Sequence, residues 1–106
     1  MELPSLLDEA LRRCIACCCQ TVETYAAKSD PDAEFASTLL AVVAALELVL
    51  EATPEKRERT LAAAVGIARS GAATIRRYGL DEQILRCAAA CEEAAHRCSG
   101  AQANGD

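Results

Sequence analysis

The sequence predicts an all-α protein, an antiparallel up-down-up-down four-helix bundle, and three observations carry that reading. Apolar residues recur at intervals of three and four through most of the 106-residue chain, the period of a helix with one buried face. Hydrophobic residues make up 52% of the chain but aromatics only 3%, so the core is built from Ala, Leu, Val and Cys, which suit closely packed helices better than a sheet. Helix-starting and helix-stopping residues interrupt the pattern at Asp30-Pro31, at Thr53-Pro54 and at Gly79, leaving short connections of the kind that make successive helices antiparallel neighbours. At this length the chain, 1–106, supports one domain with one modest core.

Helices are expected at about 5–28, 31–52, 54–78 and 81–98, with a small polar tail over 99–106 left disordered. Ser5 caps the first, whose apolar positions Leu7, Leu11, Cys14, Cys18, Val22 and Tyr25 keep one face inward. Asp30-Pro31 opens the second, with Phe35, Leu39, Val42, Leu46, Val49 and Leu50 as its core stripe. Leu40, Ala44 and Leu48 make its opposite side apolar too. A helix apolar nearly all round is usually covered, so a homo-oligomer through this face is expected. The run from Leu39 to Leu50, about 12 residues interrupted by Glu47, reads as too short to cross a bilayer.

Thr53-Pro54 opens the third helix and Gly79 closes it, with Leu61, Val65, Ala68, Ala72 and Ile75 inward. Gly66, Ser70 and Gly71 are expected to let a neighbouring helix approach closely. No strand precedes Gly66, which argues against a phosphate-binding loop. The charged start, Glu55 to Arg59, is a solvated face. Asp81 caps the fourth helix, on which Leu80, Ile84, Cys87, Cys91, Ala94 and Cys98 form one stripe.

A net charge of −5 argues against nucleic acid or an anionic membrane surface as partner, because such binding draws on Lys and Arg. The first residues lack the basic and apolar regions of an export signal, so a cytoplasmic location is expected. There thiols stay reduced, and a cluster of them reads as metal-binding or redox-active. The cysteine count of seven is odd, which excludes a complete internal disulfide set.

The cysteines fall in two groups, Cys14, Cys17, Cys18 and Cys19 near one end and Cys87, Cys91 and Cys98 near the other. On a helix, Cys91 lies about 40° and Cys98 about 20° from Cys87, and Cys14 and Cys18 repeat the same four-residue step. Cys17 lies about 60° to one side of Cys14, and Cys19, about 140° away, faces a neighbour or solvent. Counting from the shared end of helices one and four places Cys18 level with Cys91, Thr21 with Cys87, Ala10 with Cys98, and Cys14 with Ala94 or Ala95. Thiols four residues apart can close around one soft ion from opposite sides, a nearly linear dithiolate. Apart from the in-helix pair Cys14 and Cys17 there is no compact CxxC knuckle of structural zinc. Soft thiolates without hard oxygen ligands select Cu(I) over Zn(II), Mn(II) or Mg(II).

The expected metal ligands are therefore Cys14, Cys17, Cys18, Cys87, Cys91 and Cys98, sequestering or buffering a few Cu(I) ions. Two other readings stay open: an iron-sulfur or zinc cofactor on the same cysteines, or a thiol redox switch or plain helical scaffold without metal. His96 lies opposite Cys87 on the wheel and reads as a surface residue. Paired catalytic carboxylates, a Ser/His/Asp set and an HExxH motif are missing from the sequence, so an enzyme is not expected.

The spacing Cys87-x3-Cys91-x2-Ala94-x3-Cys98 resembles the CxxxCxxCxxxC helix repeat of the cysteine-rich four-helix-bundle copper-binding proteins, which include the bacterial copper storage proteins. Cys14-x3-Cys18 is similar to a second copy of its CxxxC unit. The resemblance rests on helices one and four. It implies a bundle whose core cysteines hold several Cu(I) ions, mainly as CxxxC bis-thiolate sites, in the cytosol or periplasm of bacteria and often as an oligomer. This chain departs from the repeat in that Ala94 stands where a cysteine is expected and helices two and three carry none. Buffering, sequestration or transfer of a few ions is therefore expected in place of high-capacity storage.

Overall fold

A computed structural model of the chain describes residues 6–26, 33–79 and 81–103. Four helices account for the architecture: α1 (Leu6–Ala26), α2 (Ala33–Glu51), α3 (Pro54–Arg76) and α4 (Glu82–Ala103), with no strand among the described residues. They form a closed ring in which α1 packs against α2 and α4, and α3 against α2 and α4, while the diagonal pairs contribute little. The bundle runs up-down-up-down as expected, and α1 and α4 are lateral neighbours. That neighbourhood brings the two cysteine groups to one seam.

Local chemistry explains the boundaries that can be inspected. Thr53 is extended (φ −69°, ψ 160°) with Pro54 in the first turn of α3, and its carbonyl accepts the N–H groups of Lys56 and Arg57 at 3.0 Å. Proline is tolerated there because first-turn N–H groups have no intrahelical partner. The end of α3 is closed by Gly79, whose φ of +145° favours a residue without a Cβ. Asp81 caps α4 through Oδ1, which accepts the Gln83 N–H at 2.8 Å. The caps assigned to Ser5 and Asp30-Pro31, and the core role assigned to Leu80, lie outside the described residues.

Helix α4 corrects one expectation. It continues to Ala103, so residues 99–103 of the tail expected to be disordered are helical. Ala101 packs against the core, and this contact supports a last turn that composition alone made look frayed.

The core is a stripe from each helix. Leu11, Cys14 and Cys18 meet Leu39, Val42, Leu46 and Val49, Leu61, Ala64 and Ile75, and Ile84, Cys87, Cys91 and Cys98, all buried. The aromatic residues cluster: Phe35 lies between Tyr25 and Tyr78, at centroid distances of 5.2 and 4.6 Å, joining α1, α2 and the end of α3. Among the small residues of α3, only one is placed where close approach demands it. A Cβ at Gly71 would sit 2.5 Å from Val42 Cγ2, whereas one at Gly66 would meet nothing within 4 Å. The expectation that Gly66 serves close approach is thus corrected, because it lies on the exposed side of α3.

Helix α2 also departs from its reading. Over its 19 residues the mean hydropathy reaches 1.9, so by length and composition α2 is able to cross a membrane, contrary to the expectation that its apolar run is too short; 39% of that window is buried inside the bundle. The run extends beyond Leu39 to Leu50 because Phe35, Ala36 and weakly polar Ser37 and Thr38 precede it. The core helix of a soluble bundle passes the same test, and the inward stripe of α2 is fully used by α1 and α3. Its outer face leaves Leu40 and Leu48 exposed at 52% and 58%, with Ala44 exposed between them.

Candidate metal centre

Two four-residue steps build the site. On α1, Cys14 and Cys18 follow Leu11 along the buried stripe; on α4, Cys87 and Cys91 follow Ile84. All four thiols are fully buried. Their sulfurs touch across the seam: Cys14 Sγ lies 3.6 Å from Cys91 Sγ and 4.0 Å from Cys18 Sγ. Cys18 Sγ lies 3.8 Å from Cys91 Sγ and 3.7 Å from Cys87 Sγ. Cys14, Cys18 and Cys91 thus make a triangle, with all ligand atoms within 4.8 Å of one another. Cys87 extends it through Cys18.

This arrangement sharpens the expected register. Cys18 does face Cys91, but Cys91 also reaches Cys14, which counting placed opposite Ala94 or Ala95. No connection joins α1 directly to α4, so their relative height is set by packing and not by loop length. Thr21 sits at the Cys87 end of the group, as expected. Its buried hydroxyl donates to the Cys17 carbonyl at 2.8 Å and receives the Gln83 amide at 3.4 Å.

The other cysteines divide by position. Cys17 is half-buried, and burial raises its pKa. Cys98 is buried but lies two helical turns beyond Cys91, about 10 Å along the axis. It belongs to no group of three or more potential ligands among the described residues. Cys19 is exposed, as its wheel position predicts, and His96 is exposed.

Burial and crowding keep the thiols protonated. Cys87 is pushed up to about 12, first by its hydrogen bond with Cys18 and further by burial. Cys14 is raised more, chiefly by Cys18, and Cys91 most of all, chiefly by Cys14. In each case a second thiolate beside the first would place two negative charges in a dry core. Cys98 rises to about 11 through burial, partly offset by Arg57. All seven cysteines are free thiols. A cation placed between these sulfurs would reverse the electrostatics, since it makes the thiolate the favoured form.

No family model matches the chain, and no curated protein or solved structure does either. Fold and site together define a four-helix bundle with a buried cysteine group, Cys14, Cys18 and Cys91, that can hold a metal ion. The sequence alone revealed the pairs on each helix. The sequence also set Cys18 level with Cys91; that Cys14 joins them in one triangle depends on the height of one helix against another.

Proposed function

We propose that the chain binds Cu(I) through core thiolates of α1 and α4 and serves to sequester or buffer a few copper ions in the cytoplasm. The shape of the sulfur triangle carries this reading. With sides of 3.6, 3.8 and 4.0 Å, an ion at its centre would lie about 2.2 Å from each sulfur, within the range of metal–thiolate bonds. The preferred coordination is therefore three thiolates shared between two helices, in place of a linear pair on one helix.

Zinc fits the same residues less well. A tetrahedron with bonds of about 2.3 Å needs all six sulfur–sulfur edges near about 3.8 Å. Cys87 falls outside the set of sulfurs mutually within 4.8 Å, so at least one of its edges to the trio is too long. An iron-sulfur cluster needs thiolates spread around a multi-atom core, whereas these sulfurs are in contact. A soft ion content with three sulfur ligands suits the site, and the absence of carboxylate or imidazole from this ligand group favours the same choice.

Binding, not turnover, is the activity assigned. Each thiol that ligates must release its proton, so uptake and pH are linked. The outer face of α2, with Leu40, Ala44 and Leu48, is assigned to a second copy of the chain because it is apolar and exposed. A thiol-lined seam in a four-helix ring agrees with a copper storage protein-like bundle that has a reduced cysteine set.

The test is metal analysis of protein purified anaerobically, followed by Cu(I) titration and X-ray absorption at the copper edge. Three sulfur neighbours are expected for the first ion bound. One tightly held zinc with four sulfur ligands, or an iron chromophore, would overturn the assignment to copper.

A further inference from the structure

Charge is spread unevenly over the bundle. Helices α1 and α4 carry both signs, but α2 carries Glu34, Glu47 and Glu51 with no Lys or Arg, whereas from Arg59 onward α3 holds only Arg59, Arg69 and Arg76 and is followed by Arg77. These two helices are neighbours. Their outer side also gathers exposed apolar side chains: of the five large ones among the described residues, Leu40, Leu48 and Ile67 stand here. Ala41, Ala44 and Leu48 fall within about 60° of one another on the wheel of α2, and Lys56, Arg59, Ala63, Ser70 and Arg77 do so on that of α3, all of them exposed. Between the helices runs a groove of about 620 Å³ bounded by Ala41, Ala63 and Ile67. One face is therefore apolar along its middle, acidic on its α2 half and basic on its α3 half. Gly71 lies beside both Thr38 and Val42, which sets the heights of this antiparallel pair: Glu34 stands about level with Arg77, Ala44 with Ile67, Leu48 with Ala63, and Glu51 with Thr60 beside Arg59.

We infer that this face closes on the same face of a second copy about a twofold axis parallel to the helices, so that α2 of each copy lies on α3 of the other. The inference rests on the reading of the outer α2 face as a contact between copies, and adds the surface that receives it and the symmetry that joins them. Such an axis preserves heights, so Leu48 and Ala44 of one copy meet Ala63 and Ile67 of the other, Glu51 meets Arg59, and Glu34 meets Arg77. A twofold axis perpendicular to the helices would instead set α2 on α2 and bring glutamates against glutamates, which like-charge repulsion disfavours. Charge thus selects between two arrangements that apolar contact alone leaves equal. Glu51, Arg59 and Arg77 have no ion-pair partner in their own chain among the described residues and are open to one in a second copy. The face is about 30 Å long and two helices wide, so it buries about 600 Å² per copy, or about 1,200 Å² in all, which meets the lower bound for a specific, stable interface.

Sedimentation of the metal-free protein tests the arrangement, with the sample kept anaerobic so that the exposed Cys19 forms no disulfide between copies. Wild type should run as a dimer at about 100 μM. Arg59→Glu should raise the dimer dissociation constant about tenfold or more, since the twofold creates two like-charged contacts at once, and adding Glu51→Arg to the same chain should restore the wild-type value. Gly66→Leu supplies a second probe: a Cβ there meets nothing within 4 Å in one copy, so the variant should keep its helical circular dichroism while the added side chain holds the two faces apart. A wild-type dimer that Leu40→Glu with Leu48→Glu dissociates, but that is indifferent to Arg59→Glu and Gly66→Leu, would overturn this arrangement and leave the α2 contact standing. Tightening of the dimer by Glu51→Arg alone would point to α2 on α2 and overturn it too. A monomeric wild type would overturn both readings, and its capture by neutral phosphatidylcholine vesicles would assign the face to a bilayer instead.

Discussion

The two opposite seams of the bundle solve the same packing problem with different chemistry. Between α2 and α3, aliphatic side chains and one glycine do the work: Val42 lies where a Cβ on Gly71 would stand, and Leu39, Leu46, Leu61 and Ile75 fill the remainder. Between α1 and α4, the equivalent central positions hold Cys14, Cys18, Cys87 and Cys91. Both seams are dry and close-packed, and a buried thiol behaves as a small hydrophobe in either. They differ in what can be added. The aliphatic seam offers no metal-ligating group, whereas the thiol seam holds Cys14, Cys18 and Cys91 close enough together to share one ion. Burial by itself does not mark a cysteine as a candidate ligand; a cross-helix cluster of sulfurs does.

If that contrast is right, the largest effect belongs to the thiol seam. Cys91→Ala removes the one α4 sulfur that touches both Cys14 and Cys18. Cu(I) affinity measured by chelator competition should fall by more than the roughly hundredfold seen for loss of outer-shell partners. Affinity unchanged by this substitution would mean that the triangle is not the site.

Acidity should act on the same seam. Binding displaces thiol protons, so Cu(I) affinity should drop about tenfold per released proton for each unit of pH below the thiol range. Stability of the metal-free protein has the opposite sign. Its thiols titrate higher when folded than their ordinary 9.0, with Cys98 near 11 and Cys87 near 12. The folded state therefore holds more protons than the unfolded one above pH 9, and its stability should be intact below that point and decline between about 9 and 12. Urea midpoints across this range, constant or rising with pH, would contradict the placement of these thiols in a dry core.

At the aliphatic seam, Leu46→Ala should cost about 2–5 kcal/mol by opening a cavity, read by urea denaturation, while the copper stoichiometry of the folded fraction stays the same. Gly71→Ala is expected to cost less, about 1–3 kcal/mol, because the added methyl presses on Val42 and the gain in helix propensity offsets part of the strain. A stabilised variant would show that α2 and α3 can move apart freely. Smallest of all for folding is the pair Leu40→Glu with Leu48→Glu, expected to stay within about 0.5 kcal/mol of wild type. Its readout is sedimentation: the double variant should run as a smaller species than wild type, and identical profiles would remove the assigned interface.

Much of the fold was legible from local signals. Thr53 with Pro54, Asp81 and Gly79 each act within one turn of the chain, and the structure places helix ends beside all of them. The end of α4 was not legible, because Ala101 gains its helical turn from core contacts that its small, polar surroundings do not announce. The breadth of α2 was misread for a related reason: Ser37 and Thr38 interrupt an apolar count on paper but scarcely lower the mean hydropathy of the helix. Within the site, both four-residue pairs and the outward Cys19 followed from the helical period. Cys98, counted among the expected ligands, stands outside the group because seven residues of helix carry it about 10 Å beyond Cys91.

By itself the sequence determined which face of each helix is buried, and so which thiols point inward, because the angle between residues along one helix is set by backbone hydrogen bonding. Only the tertiary structure decided that Cys91 stands against both Cys14 and Cys18 and that Cys87 joins them through Cys18. Those relations depend on the height and rotation of α1 against α4. The two helices share no connecting loop, and their alignment comes from side-chain packing summed over the whole bundle.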